Sequence, residues 1–90
     1  MNKADLTKLI ADQADISNAS AARALDAALD AITAALRGGD PVALLGFGTF
    51  AVKARAERQG RNPQTGATMK IAASRVAGFK PGKSLRDALN

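Results

Sequence analysis

The 90-residue sequence has no Cys, no His, no Tyr and no Trp. Without Cys there is neither a disulfide staple nor a thiol nucleophile, and without His the commonest general base and metal ligand is missing. No enzyme, metal site or cofactor is therefore expected. The aromatic set is three Phe, which argues against the exposed stacking platforms that single-strand-binding folds rely on. Phe47, Phe50 and Phe79 sit among glycines and apolar residues and are expected to be buried within or between subunits. Large apolar side chains are also scarce, because 21 of the 42 apolar residues are Ala. A domain this small with so thin a core usually needs a staple, a metal or a partner, and here a partner subunit is what remains. Long apolar runs are absent too. The longest uncharged stretch, Pro41 to Val52, falls well short of the roughly 20 residues of a membrane helix, so a soluble cytoplasmic protein is expected, with no membrane partner.

What is present is positive charge, unevenly placed. The chain carries 13 Lys and Arg against 8 acids, a net of +5. Residues before Leu45 hold four cations and six carboxylates, a net of −2, whereas the rest hold nine cations and only Glu57 and Asp87, a net of +7. A balance of this kind fits a polyanionic partner such as nucleic acid, or an anionic membrane surface, met by the second half.

Hydrophobic periodicity separates the chain into helical and extended parts. Asn2 can cap a first helix with Asp5 in its first turn, and Leu6, Leu9, Ile10 and Ala14 form a stripe that predicts a helix over Lys3–Ala14. Ser17 or Asn18 offers the next cap. Leu25, Leu29, Ile32 and Leu36 then recur at helical spacing up to Gly38-Gly39, with Arg37 complementing the dipole. Two short extended runs follow, Val42–Leu45 and Thr49–Val52, around a Gly46-Phe47-Gly48 turn. From Lys53 the alternation continues without a face apolar enough to bury. It turns at Asn62-Pro63-Gln64-Thr65-Gly66, where Pro63 fixes φ and Gly66 can take positive φ, and returns over Met69–Ala73. Val76 and Phe79 resume the core, and a short helix is predicted from Leu85 to about Leu89.

Two motifs resemble nucleotide-binding signatures and fail on context. Gly46-Phe47-Gly48-Thr49-Phe50-Ala51 has dinucleotide-fingerprint spacing, but the residues after it are strand-like rather than helical. Pro81-Gly82-Lys83-Ser84 resembles the end of a Walker loop, yet the first glycine's place is taken by Ala77. A lysine in the first turn of a helix is unfavourable to the dipole, so Lys83 is either simply solvated or kept for an outside contact.

The informative segment is 53–75. Lys53, Arg55, Arg58, Arg61, Lys70 and Arg75 put six cations beside one acid on a hairpin of about ten residues a side, roughly 33 Å at ~3.3 Å per residue. Edge protection alone asks for neither this length nor this one-sidedness. Arginines on a thin ribbon suit a narrow electronegative DNA groove, and a tip proline can wedge a base step.

Gly46-Phe47-Gly48-Thr49-Phe50, Arg55, Arg58-Gln59-Gly60-Arg61-Asn62-Pro63-Gln64-Thr65-Gly66 and Phe79-Lys80-Pro81-Gly82-Lys83-Ser84-Leu85 together resemble the bacterial histone-like HU proteins, relatives of integration host factor, over the whole chain. The resemblance implies an α+β fold: an intertwined homodimer with a two-helix base, a saddle of antiparallel sheet, long β-ribbon arms that wrap the DNA minor groove, and a short C-terminal helix. In those terms residues 1–90 are a single domain, with 1–39 the dimerisation base, 41–52 and 76–81 the saddle strands, 53–75 the arm and 83–90 the last helix. Pro63 would intercalate, and Arg55, Arg58, Arg61, Asn62 and Gln64 would line the groove. Lys3, Lys53, Lys70, Arg75, Lys80, Lys83 and Arg86 would meet phosphates, and Leu29, Ile32, Leu36, Leu44, Phe47, Phe50 and Phe79 would form the dimer core. Some relatives carry a Lys3–Asp26 contact that tunes DNA binding, and both residues occur here. Ala77-Gly78 departs from the usual proline-containing pair, and Asn18 stands where lysine is common.

The expected function is architectural: binding double-stranded DNA with little sequence preference, bending, wrapping and compacting it in the nucleoid, and favouring nicked, gapped or bent forms whose bending cost is already reduced. The nearest rival is a sequence-specific integration host factor-like subunit, with a paralogue as heterodimer partner. Further rivals are an RNA-binding basic protein and a pure interaction module using the helical seam.

Overall fold

The computed structural model describes residues 1–90, apart from the side chain of Ile71. The element order is α1 (Lys3–Ala14), α2 (Asn18–Arg37), β1 (Val42–Leu44), β2 (Gly48–Arg55), β3 (Arg58–Arg61), β4 (Thr68–Ile71), β5 (Ser74–Pro81) and α3 (Lys83–Leu89). It is an α+β protein, and its chain divides into two compact units, Met1–Ala34 and Ala35–Asn90.

In the first unit, α1 starts in a reciprocal cap. The Asp5 amide donates to Asn2 Oδ1 at 2.9 Å and the Asn2 amide to Asp5 Oδ2 at 3.2 Å, which satisfies two of the orphan donors of the first turn. Asp15 stops the helix in a left-handed conformation, φ 55°. Ser17 takes the cap of α2, accepting from the Ser20 amide at 3.1 Å. The buried apolar side chains, among the described residues, are Ala11 and Ala21, one from each of the two long helices. An alanine removes little apolar area from water, so burying these two stabilises weakly by itself.

In the second unit, the last turn of α2 closes with Schellman-type bonds, Gly39 N–H to Leu36 O at 3.0 Å and Asp40 N–H to Ala35 O at 2.9 Å. A three-stranded antiparallel sheet follows in the order β1-β2-β5. Its register pairs Phe50 with Phe79, Thr49 with Lys80 and Lys53 with Val76. Phe79 packs between its neighbours, 4.7 Å from the Phe50 ring and 5.5 Å from that of Phe47. Gly48 makes this possible, since a Cβ there would lie 2.5 Å from the Phe79 ring. The turn before it docks onto α3: Gly82 N–H donates to Phe47 O at 2.7 Å and Leu85 N–H to Gly46 O at 3.2 Å. Any side chain on Gly82 would strike the Gly46 carbonyl, its Cβ only 2.6 Å away. The glycines of both failed nucleotide motifs thus serve one another, letting a turn and a helix start come into backbone contact.

The boundaries differ from the sequence expectations where backbone partners decide them. β2 extends from Gly48 to Arg55 and β5 is continuous from Ser74 to Pro81, because they pair residue for residue. β1 ends at Leu44, one residue early, since the Phe47 amide turns back to Leu44 O at 2.9 Å. α3 begins at Lys83 rather than Leu85, with Gly82 as its extended N-cap residue. The expected run Met69–Ala73 is β4 over Thr68–Ile71, and Ala72-Ala73 lies outside either sheet.

Candidate nucleic-acid interface

The 53–75 segment is built in two stages. Its root is the extension of β2 and β5, paired as far as Arg55 with Ser74. Its outer part is a separate two-stranded sheet, β3 with β4, in which Arg58 faces Ile71, Gln59 faces Lys70, Gly60 faces Met69 and Arg61 faces Thr68. Two residues on each side, Ala56-Glu57 and Ala72-Ala73, separate the two sheets.

The tip is closed by backbone bonds and by the Asn62 side chain. Asn62 N–H donates to Ala67 O at 2.8 Å and Gly66 N–H to Asn62 O at 2.7 Å. Asn62 Oδ1 accepts from the Gln64 amide at 2.9 Å, an Asx turn bridging over Pro63. Gly66 takes φ 72°, as the turn reading expected. Pro63 and Gln64 are exposed at the extremity, while Asn62 is half-buried with its carbonyl committed to the turn.

Side-chain parity along the strands sorts the cations. Thr49, Ala51, Lys53 and Arg55 share one face of β2 with Val76, Gly78 and Lys80 of β5, and an open depression of about 450 Å³ between them is walled by Lys53 and Lys80. Arg75 lies on the other face, with Phe79 and Phe50. Its guanidinium reaches the end of α2, donating from one nitrogen to Leu36 O at 3.0 Å and Arg37 O at 3.1 Å. It thereby satisfies the Arg37 carbonyl, which the helix leaves open, and adds a second donor to Leu36 O, already served by the Gly39 amide. On the outer ribbon Arg58 and Arg61 point to opposite faces, so a groove holding the ribbon would meet an arginine on each wall.

Three of the other expected phosphate ligands are ion-paired. Lys3 bridges to Asp26, whose hydrogen bond and charge raise the Lys3 ammonium above its ordinary range. Lys70 meets Glu57 at 2.8 Å and Lys83 meets Asp87 at 3.1 Å. Among the described residues Arg55, Arg58, Arg61, Lys53, Lys80 and Arg86 have no carboxylate partner. The sequence reading missed the Arg75 contact, although residues 75 and 79 share a face by simple alternation. It also missed the Lys83–Asp87 pair, which i,i+4 spacing on a helix signals. The expected core residues fall short of burial: Ile32, Leu36 and Phe50 are half-buried, while Leu29, Leu44, Phe47 and Phe79 remain 40–48% exposed.

Comparison with known proteins gives a consistent result. The model of the family described as bacterial DNA-binding protein matches residues 1–90. The chain is 60% identical over 90 residues to the DNA-binding protein HU-beta of Pseudomonas aeruginosa, and 59% identical over 90 residues to that of Escherichia coli, with the whole of both chains covered in each case. Among solved structures, an HU from Anabaena in a cocrystal with DNA superposes with a TM-score of 0.89 at 42% identity, covering 99% of this chain and 97% of that one. HU from Thermotoga maritima superposes with a TM-score of 0.73 at 30% identity, covering both chains fully. With its capped helices, its Phe-centred sheet and its cationic outlying ribbon, the chain belongs to the bacterial DNA-binding protein family of HU type.

Proposed function

We propose that this protein is a histone-like architectural protein of the bacterial nucleoid, not an enzyme, that binds double-stranded DNA with little sequence preference and bends it. The observation that carries this reading is the outer ribbon β3–β4. It forms a sheet of its own, exposes Pro63 at its tip and carries Arg58 and Arg61 without carboxylate partners. Support comes from the family match and from the likeness to an HU crystallised with DNA. Cytoplasmic, nucleoid-associated localisation follows from such a partner.

In this reading Arg55, Arg58, Arg61, Asn62 and Gln64 line the minor groove, and Pro63 enters a base step and kinks it. Lys53, Lys80 and Arg86 neutralise phosphates directly. Lys3 and Lys83 do so only by exchanging a carboxylate for a phosphate, which gives them a smaller share of the affinity. Residues 53–75 serve as the arm, 41–52 and 76–81 as saddle strands, 1–39 as the dimerisation segment and 83–90 as the last helix.

A homodimer is part of the proposal. Among the described residues no large side chain is fully buried, and Leu29, Leu44, Phe47 and Phe79 leave apolar surface that a single chain does not cover. A second copy supplies that cover. A mixed dimer with a paralogue would use the same surface.

Electrophoretic mobility shifts on matched duplexes with and without a nick test the reading. Tighter binding to the nicked duplex is expected, since the nick lowers the bending cost. Equal affinity removes the bending component.

A further inference from the structure

We propose that Glu57 and Lys70 act as one charge-compensated unit that sets the salt dependence of the arm, so that Lys70 adds nothing to net phosphate neutralisation. The proposal rests on the DNA-binding reading above and deepens it. Glu57 is the sole carboxylate in the chain between Asp40 and Asp87. It stands in the two-residue break between β2 and β3, and its Oε1 lies 2.8 Å from the Lys70 ammonium on β4. In the β3–β4 register Lys70 faces Gln59, so the pair is a diagonal cross-strand contact within reach of long side chains. Both side chains are open to solvent, at 75% exposure for Lys70 and 51% for Glu57.

Exposure decides what such a pair does. A solvated ion pair contributes little to stability, but it changes how many counterions the ribbon carries. A free lysine that meets a phosphate releases condensed ions, and each such contact steepens the dependence of log K on log salt by about 0.9 on duplex DNA. Lys70 has its negative partner already. If it stays on Glu57 it meets no phosphate; if it moves to a phosphate it leaves an unpaired carboxylate that must gather a cation again. Either way the net release is near zero. The pair then lies beside Arg58 at the inner end of the outer ribbon, a neutral patch among the cations Lys53, Arg55, Arg58 and Arg61.

The test is a double-variant cycle on one nicked duplex, with binding isotherms over a series of salt concentrations and circular dichroism to verify folding. Glu57→Gln is expected to steepen the salt slope by about 0.9 per arm that meets the duplex and to tighten binding at low salt. Lys70→Gln is expected to weaken binding, because it leaves Glu57 unpaired near phosphates. The variant carrying both changes is expected to regain the wild-type slope. A double variant whose slope falls by about 0.9 makes Lys70 an ordinary phosphate ligand and overturns the compensated unit alone. A wild-type protein with no salt-dependent duplex binding overturns the unit together with the DNA-binding reading.

Discussion

The sheet β1-β2-β5 and the ribbon β3–β4 share strand chemistry and antiparallel pairing, yet they are put to opposite uses. In the sheet, one face carries Phe50, Phe79 and Arg75, each engaged: the rings with one another, the guanidinium with the end of α2. In the ribbon, Arg58, Arg61 and Met69 all face solvent, and backbone pairing together with the Asn62 turn holds it in shape. Pairing alone makes a ribbon, while side chains on a shared face decide whether it is fixed to the body or left open to solvent. A ribbon with little buried apolar surface opens easily and orders when something covers it.

The sheet depends most on its aromatic centre. Phe79→Ala is expected to lower unfolding stability by about 3 kcal/mol, the low end for a Phe-to-Ala core change because Phe79 is only partly covered within one chain. Chemical denaturation reads this directly, and an unchanged midpoint would mean that the Phe cluster does not hold the sheet. The ribbon should respond the other way. Replacing Arg58 and Arg61 together by Gln is expected to leave stability within about 0.5 kcal/mol, as for exposed sites generally. It is expected to flatten the salt slope of binding by about two per arm that meets DNA. A loss of stability in place of affinity would make these arginines structural.

Arg75 sharpens the boundary between the two regions. Arg75→Gln is expected to destabilise by about 1 kcal/mol, since Leu36 O keeps its bond from the Gly39 amide and only Arg37 O loses its partner, with the salt slope unchanged. A flattened slope would return Arg75 to the phosphate ligands. The smallest energetic effect is expected at the tip, where Pro63→Ala should reduce the bend measured by fluorescence energy transfer while changing affinity only modestly, because phosphate contacts supply most of the binding. An unchanged bend would deny the proline its wedge role.

Much of this was legible in the residues, for identifiable reasons. The Asn2 cap, the α1 boundaries, the Asn62–Gly66 turn and the failure of both nucleotide motifs follow from local rules that act within four or five residues of chain. What was less legible depends on pairing across the chain. The early start of α3 comes from Gly46 and Phe47 carbonyls that lie far back in sequence. The split of the arm at Ala56-Glu57 and Ala72-Ala73 leaves no composition signal strong enough to mark it.

Local chain chemistry sets the helix caps, the tip turn, the separation of charge into a net −2 and a net +7 half, and the shortage of large apolar side chains. Which cations are free depends on how the folded chain places them. Arg75, Lys70 and Lys83 look like Lys53, Arg58 and Arg86 in a charge count, but a cation's availability depends on what lies within a few ångströms of it. Electrostatic and hydrogen-bond partners are chosen by register and by strand face, and these are fixed when distant segments pair.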